Sequence, residues 1–275
     1  MSEVGRRSEG AAIGGASREV AFRGGGFLPE PRKLHSWLVF AVLLALWQAV
    51  TGLGLVNALF LPSPLGIARA LWGLALSGEL WHQLSASLLR IGAGWAIGSA
   101  LGLLVGLSMG LSSLSRAIGM PLVSALYPIP KIALLPLLIL WLGIGEAPKV
   151  ATIAAGVFFP TVIATFSGVD SVPRSLIRMS QSFDLPVRAI VWKVILPSAL
   201  PQILAGFRIS IATALLLVVS AEMIGAQFGI GAFLLTAGNL MQTDQLMAGV
   251  VVLSLLGLTL GALVGIVEKT FLRWR

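Results

Sequence analysis

From Trp37 onward, long apolar stretches separated by short polar breaks dominate the chain. A helix needs about 20 mostly apolar residues to cross a bilayer. Six stretches meet that length, at residues 37–56, 91–111, 120–142, 150–169, 205–224 and 246–267. The third is interrupted by Pro128, Pro130, Pro136 and a lysine, Lys131. Ahead of the second stands Leu-Pro-Ser-Pro at residues 61–64, a helix start in which Ser63 can cap and Pro64 suits the first helical position. The apolar run that follows, to Leu76, is too short and too broken to span and reads as an outer interfacial helix. The pattern predicts an all-α polytopic membrane protein with six transmembrane helices.

Composition agrees with the pattern. Hydrophobic residues make up 57% of the 275 and charged residues only 11%, under half the share usual in a soluble domain. Six spans place both termini on one side. Of the 19 lysines and arginines, all but Arg69, Arg90, Lys149 and the intramembrane Lys131 fall on that side, so the positive-inside rule predicts an N-in, C-in topology. The net charge of +8 is thereby assigned to membrane orientation, and no nucleic-acid partner is expected. Residues 1–33, rich in Gly, Ser, Arg and Glu without an apolar core, read as a disordered cytoplasmic tail, and residues 34–275 as one transmembrane domain.

Two spans carry a further regularity. Gly94, Gly98, Gly102, Gly106 and Gly110 recur every four residues, and Gly257, Gly261 and Gly265 repeat the spacing near the C-terminus. Residues four apart share a helix face. Each set therefore forms a ridge without side chains, of the kind that lets two helix backbones approach closely in a membrane. Both ridges are expected to pack against another span, in the subunit or across a pair.

Little in the chain points to chemistry. It has no cysteine and two distant histidines, so neither a thiolate metal site nor a Ser-His-Asp triad is expected, and no cofactor. None of its lysines follows a glycine, which excludes a Walker A loop. The charges inside spans are the remaining candidates. Lys131 lies about 18 Å along its span at 1.5 Å per residue, near the midplane, where a charge usually faces a cavity. With Tyr127 it is a candidate lining of a path for an anion, against the alternative of a lysine reaching interfacial water. Glu222 is expected near the outer mouth, as a gate or a structural hydrogen-bond partner. An ion-coupled secondary transporter, the alternative class, would work through such an acid.

The segment RSLIRMSQSFDLPVRAIVWKVILPSALPQ, residues 174–202, is polar and amphipathic between two apolar stretches. It resembles the EAA loop of the permease subunits of ATP-binding-cassette importers. Leu196-Pro197 matches that loop's Leu-Pro; Arg178, Met179 and Ser180 then stand at its Glu-Ala-Ala and Asp184 at its Gly, so all four signature residues are changed. PIPKIALLPLLILWLGIGEAPK at residues 128–149, VSAEMIGAQFGIG at 219–231 and QTD at 242–244 are similar to the branch that imports nitrate, taurine and alkanesulfonates. The resemblance implies a permease in the cytoplasmic membrane of a bacterium, importing a small anionic solute of the alkanesulfonate, taurine or nitrate kind. It implies a second permease copy as a homodimer partner, cytoplasmic ATPase subunits, and a periplasmic or extracellular solute-binding protein. It also implies a helical coupling loop over about residues 170–203. There Arg178, Phe183, Asp184, Leu185, Pro186, Arg188, Leu196 and Pro197 form the ATPase-facing set, joined by the apolar candidates Leu176, Ile177, Ile190 and Trp192. Asp184, a residue that visits left-handed conformations and caps helices, can replace the glycine at the turn.

Overall fold

The structure, a computed structural model, describes the backbone over residues 33–272 and side chains over 37–272; the predicted tail lies almost wholly outside the described residues. The chain divides into two compact units, residues 1–47 and 48–275. Helix α1 (Lys33–Gly52) begins in the first and ends in the second. Its apolar part, Trp37–Gly52, is shorter than a straight bilayer crossing.

The second unit is a helical bundle. As predicted, α2 (Pro64–Leu76) starts with Pro64, and the Ser63 hydroxyl accepts from the Gly66 amide at 3.0 Å. Next come α3 (Glu79–Leu111) and α4 (Ser113–Leu126). A single 3₁₀ turn (Lys131–Leu134) then leads into α5 (Leu135–Leu142). Helix α6 (Ala147–Asp170) precedes the short α7 (Arg174–Ser182). Helix α8 (Val187–Ile190) passes through a π turn (Val191–Ile195) into α9 (Leu196–Gly225), so that Val187–Gly225 forms one 39-residue helix. The chain closes with α10 (Ile230–Asn239) and α11 (Thr243–Phe271).

Among the described residues four helices are long and apolar enough to cross a membrane: α3, α6, the α8–α9 helix and α11. The predicted third span is a broken pair instead, α4 and the 3₁₀–α5 segment meeting at 87°. The prolines explain the break. Pro128 and Pro130 lack the N–H that would continue α4, so its hydrogen-bond ladder cannot run on past Tyr127.

The centre of the bundle is the contact between α3 and α6. A Cβ placed on Gly94 would sit 2.6 Å from Ile153 Cγ2, on Gly102 2.7 Å from Thr161 Cβ, on Gly106 2.6 Å from Thr165 Cβ and on Gly110 2.6 Å from Val169 Cβ. Gly98 meets Ala154 and Val157 in the same way. Residue numbers on the two helices rise together, so α3 and α6 run parallel and in constant register. Two parallel neighbours require the chain between them to return the full height of the bundle, and the bent pair makes that return. Arg116, in the first turn of α4, closes the far corner with a 2.6 Å bond to Asp170 at the end of α6.

The other face of α6 meets α9 antiparallel. A Cβ on Gly168 would lie 2.9 Å from the Ala199 carbonyl, while Gly156 faces Leu217 and Thr213. Small residues on both faces leave α6 the most enclosed of the long apolar helices. One apolar cluster (Ile91, Ile153, Val157, Ala214, Val218, Ile230, Val252, Leu256) fills the end where α6 begins, and another (Val169, Val172, Ile190, Ile195, Ala199, Ile203) the end where it stops. Helix α11 runs back alongside α9: Gly249 lies against Phe233 and Leu234 of α10, and Arg208 of α9 bonds Glu268 at 2.7 Å. The C-terminal end of α11 and the α7–α8 segment thus share one end of the bundle.

The second glycine ridge has no such partner among the described residues. Gly257 meets only Leu215 at 3.5 Å, Gly265 only Arg208 at 3.7 Å, and Gly261 nothing within 4 Å. The two ridges predict different mutational costs. Gly102→Leu drives a side chain into Thr161 and the Phe158 carbonyl and is expected to cost about 1–3 kcal/mol, as overpacking of a tight core does; Gly261→Leu is expected to be near neutral in the isolated chain. Thermal unfolding of the purified variants in detergent checks both, and equal losses would contradict the contact geometry.

Candidate functional site

The α7–α8 segment is built around one turn. Helix α7 ends at Phe183, and Asp184 follows with φ 52°, in the left-handed region. Its amide donates to the Gln181 carbonyl at 2.9 Å, and the Leu185 amide donates to the Ser180 carbonyl at 3.3 Å. These two bonds form the Schellman closure of a helix, with aspartate where glycine is usual. Asp184 therefore makes the turn, but it does not cap α8: that position is taken by Pro186, without a side-chain cap. The preset φ of Pro186 starts α8, and the Ala189 and Ile190 amides donate to its carbonyl.

The apolar side chains of this segment divide between two directions. Ile190 is buried in the cluster beneath it, and Ile177 packs against the same cluster. They anchor the segment and are not available to a partner, contrary to the expectation for this pair. Phe183, Val187 and Trp192 are 73%, 77% and 65% exposed, beside Met179 and the more covered Leu176 and Leu185. Val187 and Met179 belong to this exposed set although the sequence reading did not name them. Arg178 and Arg188 are exposed, with no ion pair among the described residues, as are Arg174 and Lys193. Leu196 and Pro197 are half-buried at the start of α9, just after the π turn.

Lys131 sits at the bend of the broken pair. Its ammonium donates to the carbonyls of Leu126 (2.8 Å), Tyr127 (3.0 Å) and Ile129 (2.6 Å), and lies 4.4 Å from the centre of the Phe159 ring. A lysine has three N–H donors, and all three are engaged on carbonyls at the end of α4 and in the linker just beyond it. Tyr127 closes α4, with its ring 6.2 Å from that of Phe159. The geometry gives Lys131 the work of capping a broken helix.

The densest polar constellation lies at the opposite end from the α7–α8 segment. Glu222 of α9, 1% exposed, accepts from Arg90 Nη1 at 2.6 Å, from the Ser87 hydroxyl at 2.8 Å and from the Gly231 amide at 2.8 Å. Arg90 grips Glu146 through Nε and through Nη2 (2.8 Å), and also donates to the Phe228 carbonyl at 2.6 Å. Lys149 adds a 3.2 Å contact to Glu146. The Ser87 hydroxyl and the Gln83 carbonyl oxygen accept from the Ile230 and Gly229 amides at the start of α10. Four helices, α3, α6, α9 and α10, are thereby tied by one network. Hydrogen bonding from Arg90 holds the Glu146 carboxyl down at about 2. A carboxyl lowered in this way supports the fold above its ordinary titration range and loses that support only as pH falls towards about 2, so the tie holds across neutral pH.

The sequence reading singled out Glu222 but not Arg90, Glu146 or Lys149. The available signal was that Arg90 and Glu222 are opposite charges near the same predicted edge of two apolar spans. Removing one member of a buried pair strands the other, at a cost of about 3–5 kcal/mol. Glu222→Ala is therefore expected to lower the melting temperature of the purified chain sharply. The paired change Arg90→Met with Glu222→Leu should recover part of the loss, because Glu146 keeps Lys149. Equal melting of Glu222→Ala and the parent chain would remove the network from any structural role.

Residues 98–274 match the family described as binding-protein-dependent transport system inner membrane component. The chain is 37% identical over 248 residues to the "Putative aliphatic sulfonates transport permease protein SsuC" of Bacillus subtilis (strain 168), covering 89% of this chain and 90% of that protein. It is 36% identical over 225 residues to the taurine transport system permease protein TauC of Escherichia coli (strain K12), covering 80% and 82%. Its fold is similar to a chain of the MetNI methionine ABC transporter in an inward-facing conformation, with a TM-score of 0.60 at 21% identity over 68% of this chain and 93% of that one. By sequence, helical architecture and span composition, this chain belongs to the family of binding-protein-dependent inner-membrane components, the multi-pass permease subunits of ABC transporters.

Proposed function

We propose that this chain is the permease of an importer driven by a separate ATPase, and that its solute is a small organic anion, an alkanesulfonate or taurine ahead of nitrate. It works in the bacterial cytoplasmic membrane as a pair of identical copies. A solute-binding protein serves it from outside, and ATP-binding-cassette subunits serve it from the cytoplasm. Six spans cross the membrane with both termini inside. The sulfonate and taurine relatives support the solute class. Orientation is supported by charge: Arg116, Arg174, Arg178, Arg188, Lys193, Arg208 and Lys269 gather at the α7–α8 end, against Arg69, Arg90 and Lys149 at the other.

The observation that carries the coupling role is the exposed face of Phe183, Val187 and Trp192 on a turn anchored from below by Ile177 and Ile190. Large apolar side chains held rigid at low entropic cost are what a docking surface requires. A secondary transporter is disfavoured because Glu222, its candidate proton carrier, is buried and fully engaged with Arg90, Ser87 and Gly231. Lys131, Tyr127 and Glu222 enter this reading as framework of the path rather than as its solute contacts.

Vesicles holding the native complex test the function. Uptake of a short alkanesulfonate should require internal ATP and persist when an uncoupler collapses the proton gradient at constant ATP. Loss of uptake with the uncoupler alone would favour the ion-coupled alternative. Arg178→Glu tests the coupling surface. The exchange reverses the charge presented to the partner, and like charges across an interface are costly. Solute-stimulated ATP hydrolysis should fall about tenfold or more, the effect of about 1.4 kcal/mol, with membrane insertion unchanged. A silent exchange would remove Arg178 from the interface.

A further inference from the structure

A cavity of about 230 Å³ opens between α5, the start of α6 and the end of α9, lined by Leu135, Ile139, Ile144, Pro148, Ala221 and Lys149. Its walls are apolar except for Lys149, which is only 5% exposed. The Lys149 ammonium has three donors, and among the described residues its side chain makes one bond, 3.2 Å to Glu146 Oε1. That carboxylate is already gripped by Arg90 through two nitrogens. A buried ammonium with spare donors is costly unless something accepts them.

The backbone presents the same polarity. Helix α6 begins beside the cavity, and its first turn has no side-chain cap. That start carries partial positive charge, although Pro148 in its first turn supplies no N–H and Glu146 stands at its N-cap, turned to Arg90 and Lys149. The approach is unobstructed: Gly143 and Gly145, both at positive φ, have nothing within 4 Å of where a Cβ would stand.

We propose that this cavity is an anion subsite at the mouth opposite the coupling segment, in which Lys149 and the start of α6 hold the oxygens of a small organic anion. Leu135, Ile139 and Ala221 take its short apolar tail. The inference rests on the importer reading and adds to it the place where the solute first meets the permease. The ligand class follows from the lining: several oxygen acceptors on one head group, a single negative charge and a tail of one or a few carbons. Arg90, Lys149, Glu146 and Glu222 are together neutral, so the anion completes the hydrogen bonding of Lys149 rather than cancelling a net charge. Affinity is accordingly weak, as a transit site requires if it is to release its load.

The test uses the full chain in lipid nanodiscs, without partners, and saturation-transfer NMR with methanesulfonate and its uncharged isostere dimethyl sulfone as probes. Methanesulfonate should bind and dimethyl sulfone should not. Lys149→Met leaves Glu146 with Arg90 and should weaken methanesulfonate binding about tenfold or more, the scale of a lost charge-assisted hydrogen bond. Lys149→Arg should restore part of it. Equal binding of the two probes by the parent chain overturns the subsite without reference to any variant, as does undiminished binding by a folded Lys149→Met chain. Uptake by the assembled complex is measured alongside. ATP-driven uptake with no methanesulfonate signal sinks the subsite and leaves the importer standing; a Lys149-dependent signal without ATP-driven uptake supports the subsite and sinks the importer.

Discussion

The near contact of two helix backbones, α3 on α6, is the constraint from which the remaining architecture follows. In hydrocarbon, apolar side chains gain little by leaving lipid for one another, and helices associate through close packing. Five glycines in one register let α3 lie against Thr161, Thr165, Val157 and the carbonyls between them. Because the contact is parallel, the chain between the two helices must cross back. It does so as a broken pair bent by 87°, with Lys131 occupying the carbonyls that the break exposes. The same register sets Arg90 of α3 level with Glu146 and Lys149 at the start of α6. The ion network is thus a consequence of the glycine ridge.

Part of this was legible in residue spacing alone. Five glycines at intervals of four specify a bare helix face whatever the partner, and three nearby prolines specify a broken span. The Ser63-Pro64 start and the Asp184 turn are local events, decided by a few neighbouring dihedrals. Other features depend on which helices become neighbours. The spacing of Gly257, Gly261 and Gly265 matches that of the first ridge, yet among the described residues it meets almost nothing. Spacing reports that a close approach is permitted, not that a partner is present. The pairing of Arg90 with Glu222 joins residues that only the α3–α6–α9 arrangement brings together.

The α7–α8 segment shows a second limit. Leu176 and Ile177 are adjacent in sequence, and adjacent residues on a helix point about 100° apart, so they lean to different sides of α7. Naming apolar residues in an amphipathic run therefore identifies a surface and an anchor together. The structure separates them, with Ile177 and Ile190 inward and Phe183, Val187 and Trp192 outward. The inward pair gives the outward set its rigidity: without it, the turn at Asp184 would present the same side chains on a freely moving loop.

Rigidity also bears on how the two ends of the bundle communicate. The helix Val187–Gly225 begins in the exposed face of the α7–α8 segment and ends beside Glu222, so one element reaches both places. At 1.5 Å per residue its 39 residues extend about 58 Å. Where α9 packs against α6 the helix resists bending, and the interruptions of its ladder, the π turn at Val191–Ile195 and the prolines at 197 and 201, all lie at the α7–α8 end. Beyond them the helix runs without a proline to Glu222 and, past it, to Gly225. A displacement imposed on the α7–α8 turn is therefore either absorbed at the π turn or carried to Glu222, Arg90 and the cavity beside Lys149. The fold concentrates its compliance at one place in this helix, adjacent to the exposed face of Phe183, Val187 and Trp192.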